Sequence, residues 1–184
     1  PVQPGSTTSY FLGAASDGAR AAYALCWRQA DTAQGWRVQA GTLDVVGPNS
    51  LNVVCTLGEE CEVALDGFGL GTSNRVKVVD GEECSGQLTI WSGMSNPSAP
   101  QAQDASTYHL GRPTAGTPGS AYGLCWGQLG SSSQLVVPLD SSMVLVGPAL
   151  RDTSCTLGEA CTLTVDGHGL ASGNSVVISE RCGG

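Results

Sequence analysis

The chemistry that the sequence offers most clearly is that of its eight cysteines, which form two matched sets of four. An even, repeated set in a chain with only two histidines predicts a disulfide framework, as is typical of secreted proteins. A zinc site would favour close pairs separated by two to four residues, and the sequence has none. The first set is Cys26, Cys55, Cys61 and Cys84, and the second is Cys125, Cys155, Cys161 and Cys182.

Four cysteines in each set allow three pairings. We favour Cys55–Cys61 across the tight turn at Leu57 and Gly58. Cys84 would then pair with one of the cysteines that precede a tryptophan. No metal and no cofactor are expected.

Candidate catalytic groups are few. The two histidines, His109 and His168, take the places that Phe11 and Phe68 occupy in the other repeat, so packing or an exposed turn explains them. No Gly-x-Ser-x-Gly elbow or Ser-His-Asp set is evident. We therefore predict that the chain is not an enzyme.

The acidic residues offer two further kinds of site. Adjacent glutamates precede Cys61 and lie just before Cys84, but neighbouring side chains on a strand point apart and do not form the carboxylate pair of a glycosidase. Asp66 and Asp166 each precede a glycine at identical places in the two repeats. A calcium loop would alternate several oxygen ligands, so an Asp-Gly turn is the simpler interpretation.

These residues belong to a repeated unit. The stretch "CTLGEECEVALDGFGL" at 55–70 returns as "CTLGEACTLTVDGHGL" at 155–170. "YALCW" and "LDVVGP" likewise return as "YGLCW" and "MVLVGP", in the same order. The chain therefore holds a tandem duplication of a unit of roughly 95–100 residues.

Short alternating runs predict strands throughout. Residues 62–65 and 162–165 alternate and end at Asp-Gly, residues 75–79 and 175–179 are rich in valine, and residues 87–91 place apolar side chains on one face. No window of eleven residues has a helical period free of glycine and proline. Six or seven short strands per unit predict an antiparallel β-sandwich.

Charge and hydropathy argue against two kinds of partner, nucleic acid and the interior of a membrane. The net charge is −8, and only eight lysines and arginines are scattered along the chain, which argues against nucleic acid. No apolar run approaches the eighteen or so residues of a membrane span. No signal peptide opens the sequence, and Pro1 is expected to be the first residue of a mature or trimmed product.

The run "GPNS…CTLGEECEVALDGFGLGTSNRVKVVDGEEC" resembles immunoglobulin-like domains of the IPT/TIG type, and "AYALCW…GTLDVVGP" resembles their closing strands. Together the units are similar to Cys-rich repeats of secreted algal and protist proteins, including mastigoneme-type surface filaments. The resemblance implies an all-β fold of tandem immunoglobulin-like antiparallel β-sandwiches, stapled by disulfides, in an extracellular protein. It implies no enzymatic activity.

The resemblance also indicates where each repeated unit begins and ends, which is called the phase of the repeat below. A unit that starts at Gly-Pro makes residues 48–147 complete, residues 1–47 only closing strands, and residues 148–184 only opening strands. The alternative phase has two beads at 9–91 and 106–182, joined by a Pro-, Ser- and Ala-rich linker at 92–105. Both phases remain open, and the chain is either a whole protomer or part of a longer array.

In the first phase, the two incomplete halves are complementary. They can close on each other within one chain, or between chains as a head-to-tail homopolymer. The residues expected to carry assembly are Tyr23, Cys26, Trp27, Val45, Val46, Leu163, Val165, Val176, Ile178 and Cys182.

Carbohydrate is a further expected partner. No asparagine has the sequence context for N-linked sugar, but the Ser-, Thr- and Pro-rich stretches suit O-linked sugar. The candidate acceptors are Ser95, Ser98, Thr114 and Thr117, and the resemblance adds hydroxylated Pro97, Pro100, Pro113 and Pro118. Trp36 and Trp91 are candidate platforms for a bound sugar, whereas Trp27 and Trp126 are expected in the core.

These expectations favour a structural subunit of an extracellular filament or surface matrix, assembled head to tail by strand complementation and disulfides. The alternative is a monomeric adhesin or carbohydrate-binding module that uses inter-strand loops such as residues 28–36.

Overall fold

The computed structural model describes residues 9–29, 35, 38–89, 91–128 and 137–182, and these residues form an all-β structure without a helix. Among them, accordingly, no helix is long and apolar enough to cross a membrane. The strands are β1 (Arg20–Trp27), β2 (Val38–Val45), β3 (Gly47–Pro48), β4 (Val54–Thr56), β5 (Cys61–Ala64), β6 (Gly67–Phe68), β7 (Asn74–Asp80), β8 (Pro100–Gln101), β9 (Asp104–Gly111), β10 (Gly119–Gln128), β11 (Val137–Pro148) and β12 (Gly167–His168).

The strands form four sheets. The largest has the order β12-β11-β10-β7, with β4 pairing in parallel on β11. A three-stranded sheet has the order β5-β9-β8, and two separate pairs are β1-β2 and β3-β6. All pairings other than β4-β11 are antiparallel.

The buried core comes entirely from residues 53–145. β5 alternates buried and exposed positions, and most of β7 alternates buried and half-buried positions, as a strand with one covered face does. The core cluster is Val53, Cys55, Cys61, Val63, Leu65, Val76, Val78, Trp91, Tyr108, Leu110, Tyr122, Leu124, Trp126, Leu139, Met143 and Leu145. Residues 48–147, which contain this cluster, are called the central region below. The head segment is residues 1–47, and the tail segment is residues 148–184.

Three disulfides fix this arrangement. Cys55–Cys61 and its repeat equivalent Cys155–Cys161 each close a turn between two cysteines that are six positions apart in the sequence. Cys84–Cys125 joins the turn after β7 to β10 across 41 residues of sequence. The structure thus contains the two pairings that the sequence favoured.

Residues 92–105 are part of the central region and are hydrogen-bonded to its sheet. The Asn96 side chain donates to the carbonyls of Val78 and Thr89 at 2.7 and 2.9 Å and accepts from the Val78 amide at 3.0 Å. Ser98 exchanges backbone hydrogen bonds with Val76 at 2.8 and 3.1 Å. The stretch that resembled a linker therefore packs along β7.

The strand predictions hold in the central region and are wrong in the tail segment. Residues 62–65 and 75–79 fall largely in β5 and β7, but residues 162–165 and 175–179 form no strand. No described strand lies beside those residues, and an unpaired strand leaves its backbone groups to water. Residues 87–91 make only an isolated bridge at Leu88, and Ile90 lies outside the described residues.

Substituting Asn96 tests whether residues 92–105 belong to the cooperative unit. Asn96→Ala removes three hydrogen bonds to part-buried backbone groups, and we expect it to lower the free energy of unfolding by about 2–3 kcal/mol. Urea denaturation followed by tryptophan fluorescence measures the change. Ser95→Ala, at an exposed neighbouring position, should change it by less than about 0.5 kcal/mol. Equal midpoints for the two variants would contradict the packing described here.

The Asp104 carboxyl makes the free energy of unfolding depend on pH in the acidic range. Side-chain hydrogen bonds from Ser106 and Thr107, with a backbone hydrogen bond from Ser106, lower the pKa of the Asp104 carboxyl from 3.8 to about 2. Because the folded-state pKa is the lower one, the stabilisation is present above about pH 4 and is lost as the pH falls toward 2.

We expect Asp104→Asn to be less stable than the parent at pH 5 and to approach it at pH 2, in urea denaturation at both pH values. Asp152→Asn, in the exposed part of the tail segment, is the control. A difference between Asp104→Asn and the parent that persists unchanged at pH 2 would refute the effect.

Candidate assembly site

The central region is held together by strands from two distant parts of the chain. β10 pairs along the whole of β7, from Tyr122 opposite Asp80 to Gln128 opposite Asn74. β5 pairs with β9, and β4 pairs with β11. Residues 48–91 thus supply opening strands, and residues 104–147 supply closing strands. Each half contributes only part of the core, so the core forms only when the two halves are together.

The buried side chains at this junction come from both halves. Val76 and Val78 of β7 and Leu124 of β10 are at most 1% exposed, and Trp126 is 7% exposed. On the other sheet, Tyr108 is fully buried, and this burial raises the pKa of its phenol.

The head segment repeats the closing hairpin of the central region. β1 pairs with β2 as β10 pairs with β11. The Tyr23 hydroxyl donates to the carbonyl of Gly18 at 2.7 Å, and its repeat equivalent Tyr122 donates to Thr117 at 2.6 Å. The hairpin therefore forms from its own sequence without an opening strand.

No described strand pairs with the outer edge of β1, so the apolar side chains of this strand are exposed. Leu25 is 39% exposed where Leu124 is 0%, and Trp27 is 48% exposed where Trp126 is 7%. The expectation that Trp27 lies in the core is wrong for the single chain, because nothing equivalent to β7 packs on it. Tyr10, Phe11 and Leu12, equivalent to the segment around Tyr108, are also exposed.

The tail segment keeps the local turns of the opening half. The Asn174 side chain accepts from the Ala171 amide at 2.6 Å, as Asn74 does from Gly71 at 2.5 Å. The amide of Glu159 donates to the carbonyl of Thr156 at 3.2 Å, repeating the turn that precedes Cys61. These contacts span few residues and need no closing strand.

The tail segment exposes the side chains that the central region buries. Val176 is 63% exposed where Val76 is 0%, and Ile178 is 97% exposed where Val78 is 1%. Leu163 and Val165 are likewise exposed, whereas their equivalents in the central region are buried. The same strand sequence is therefore core in one place and surface in the other.

Cys26 and Cys182 are the two cysteines outside the three disulfides, and both are exposed. By the repeat, Cys26 is equivalent to Cys125, and Cys182 is equivalent to Cys84. Each of the two cysteines that join the halves of the central region thus has an unbonded equivalent in one of the flanking segments.

The joints at the two ends of the central region are the same. β3 pairs with β6, and the end of β11 pairs with β12; in each joint a Gly-Pro pairs with the glycine after an aspartate and the residue that follows it. The amide of Asn49 donates to Asp66 at 2.8 Å, and the amide of Ala149 donates to Asp166 at 2.8 Å. Each flanking segment is therefore attached in an equivalent local geometry.

These joints lie at opposite ends of β11. The amide of Leu51 donates to the carbonyl of Leu139 near the start of the strand, and Gly47 lies against Trp126, which pairs with Val137. The tail segment pairs instead with Gly147 and Pro148. From 139 to 148 a strand extends about 30 Å, so the head and tail segments leave the central region from opposite ends.

The predicted assembly residues divide into two groups. Most lie on exposed faces of the head and tail segments, including Val46 at the first joint, but Tyr23 and Val45 are half-buried. Tyr10, Leu12 and Leu25 are exposed apolar residues outside the predicted set, and the repeat of "SYFLG" as "TYHLG" and of "YALCW" as "YGLCW" could have identified them.

The predicted carbohydrate residues also divide. Ser95, Thr114, Thr117 and Pro97 are exposed, and Pro100 and Pro118 are half-buried. Ser98 is buried and donates to the carbonyl of His109 at 2.9 Å, and Pro113 is fully buried, so the folded chain leaves no room for a sugar on either. Trp91 is packed edge-on against Tyr122 and offers no platform. Trp36 and most of residues 28–36 lie outside the described residues.

Three basic side chains among the described residues lie beside a carboxylate at exposed positions. His109 Nδ1 is 3.2 Å from Glu62, Arg112 is 3.3 Å from Glu60, and Arg151 is 3.1 Å from Asp166. Across the described residues, no three His, Cys, Asp or Glu side chains are grouped to hold a metal ion.

No family model matches the chain, and comparisons with curated proteins and with solved structures also find no match.

A glycine substitution tests the joint to the tail segment. A Cβ on Gly167 would overlap the carbonyl oxygen of Gly147, so we expect Gly167→Ala to break the β11-β12 pairing. Hydrogen exchange should then accelerate at the Ala149 amide but not at Val76 in the core. Gly173→Ala, where a Cβ meets nothing within 4 Å, is the control. Unchanged protection at Ala149 would show that the joint tolerates the side chain.

Proposed function

We propose that the protein is a structural subunit of an extracellular filament or surface matrix. It polymerises head to tail, with the tail segment of one chain completing the head segment of the next. Each completed unit is an immunoglobulin-like β-sandwich of the same kind as the central region. The protein acts through assembly and has no enzymatic activity.

The observation that carries this proposal is the contrast in exposure between equivalent residues. Val176 and Ile178 repeat a strand that is buried in the central region, and Leu25 and Trp27 repeat the strand that covers it. Exposed apolar faces of this kind are typical of interaction surfaces. In the central region, opening strands pack against closing strands. The tail segment of a second chain carries the same opening strands, so it has the shape needed to pack against an exposed head segment.

The packing of residues 92–105 supports the phase of the repeat. In the alternative phase these residues would be a linker between beads, yet Asn96 and Ser98 are bonded to β7. The pairing of β7 with β10 would also run between two beads instead of within one. A unit spanning residues 48–147 accounts for both contacts.

The positions of the two joints favour closure between chains. The head and tail segments leave opposite ends of the central region, about 30 Å apart along β11. Contact between one chain's tail segment and the next chain's head segment uses two different surfaces. Such a heterologous contact propagates and need not close.

The disulfides support an extracellular setting, because structural disulfides form and persist in oxidising compartments. In that setting Ser95, Thr114 and Thr117 are exposed hydroxyls available for O-linked sugar. Glycans at these positions would coat the central region without covering the head or tail segments.

Charged substitutions at the two ends test the proposal. In a background of Cys26→Ser and Cys182→Ser, we expect the parent to form filaments in electron micrographs and to sediment as a concentration-dependent polymer. Ile178→Asp in the tail segment and Leu25→Asp in the head segment should each weaken association by about 100-fold or more, because each places a charge at a buried strand position. Leu150→Asp is the control, since its repeat equivalent is an exposed serine.

Mixing the two variants sharpens this test. The head-blocked chain keeps an intact tail segment, and the tail-blocked chain keeps an intact head segment, so a mixture should give a one-to-one dimer and nothing larger. Loss of association in Leu150→Asp, or no dimer in the mixture, would indicate unspecific aggregation. A parent chain that stays monomeric at every concentration would refute the proposal and leave a ligand-binding role.

A further inference from the structure

We propose that neighbouring chains are joined covalently by a disulfide between Cys182 of one chain and Cys26 of the next. This inference rests on the proposed function, because it requires the tail segment to lie on the head segment of another chain. It assigns a specific bond to that contact and fixes which residues face each other across it.

The central region provides the geometry for this bond. Cys125 lies in β10 directly opposite Lys77 of β7. After β7 the chain turns back, and the carbonyl of Cys84 accepts a hydrogen bond from Lys77 Nζ at 2.7 Å. This turn brings Cys84 over the β7-β10 pair, where its sulfur bonds to that of Cys125 with the two Cα atoms 5.7 Å apart.

The flanking segments carry the same elements. Cys26 lies in β1, one residue before Trp27, as Cys125 lies before Trp126. Val177 takes the place of Lys77, and Cys182 follows it after a turn that is two residues shorter than the one leading to Cys84. The missing residues fall in the exposed turn after β7, outside the buried pairing. Pairing residues 174–179 with β1 in the register of β7 and β10 therefore brings Cys182 to Cys26.

Two further observations fit this assignment. Every other cysteine of the chain is already bonded, so Cys26 and Cys182 have only each other or their own kind as partners. Both are exposed, and the thiols are accessible in the single chain before assembly. The distribution leaves one thiol at each end, which is the arrangement that a linear covalent polymer requires.

The oxidation needs an acceptor for two electrons, which a low-molecular-weight disulfide or the disulfide of a protein oxidase supplies. The thiolate of Cys182 attacks that disulfide, forms a mixed disulfide and releases one thiol. The thiolate of Cys26 on the neighbouring chain then attacks the sulfur of Cys182, forms the Cys26–Cys182 bond and releases the second thiol. The two cysteine protons leave with the two released thiols.

The test uses the full chain, assembled with oxidised and reduced glutathione and then denatured in SDS without reductant. We expect a ladder of polymers that reduction converts to a single chain of 18.7 kDa. Assembly from equal amounts of ¹⁵N-labelled and unlabelled protein should give a peptide pair containing Cys26 and Cys182 with mixed labels. Mixed labels identify a bond between chains.

Complementary serine variants provide the control. Cys26→Ser and Cys182→Ser alone should each give no ladder, and their mixture should give only a disulfide-linked dimer. Polymers that sediment but dissolve in SDS with both thiols free would overturn the covalent bond and leave the proposed function intact. A Cys26–Cys182 pair without mixed labels would mean closure within one chain, and the absence of any polymer would mean that the proposed function itself fails.

A Cys182–Cys182 dimer of the Cys26→Ser variant would also overturn the assignment, because it would show that the tail thiols react without the head segment. A reduced chain heavier than 18.7 kDa in native material would show that further repeats of the same chain complete the two segments. That result would replace the neighbouring chain as the partner.

Discussion

The pairing of β7 with β10 holds the two halves of the central region together. It joins residues that are more than forty positions apart, buries Val76 and Val78 against Leu124, and carries the Cys84–Cys125 bond at its centre. The other contacts between the halves, β5 with β9 and β4 with β11, close the same core. Without the β7-β10 pair, each half of the central region would present an uncovered apolar face, which is the condition of the head and tail segments.

The flanking segments separate what local sequence can form from what it cannot. The hairpin of β1 and β2, the turn closed by Cys155–Cys161 and the Asn174 turn all form within short stretches. Strand formation by residues 174–179 needs a neighbour, because a lone strand leaves its amides and carbonyls unpaired. The repeat therefore shows one sequence in two states, and the difference between them is the presence of a partner strand.

The same division explains how much could be predicted from the sequence. Alternation in residues 62–65 and 75–79, the short Cys55–Cys61 loop and the absence of helical periods depend on neighbouring residues, and the all-β fold followed from them. Residues 92–105 resembled a linker by composition, because nothing in a Pro- and Ser-rich stretch reveals that the Asn96 side chain will bond to Val78. The burial of Trp91 and Ser98 depends on those distant contacts, and the exposure of Trp27 depends on the lack of them.

The two joints have a geometric consequence. Gly47 and Gly147 have φ angles of 150° and 149°, Gly69 and Gly169 have φ angles of 67° and 65°, and each pair occupies the same place at its joint. An equal joint imposes an equal rotation and translation between successive units. Repeated along an open array, one fixed screw operation generates a helix of constant pitch. In the proposed assembly the asymmetric unit of that helix is a single sandwich, half the repeat of the protomer, and the breaks between chains fall inside alternate sandwiches.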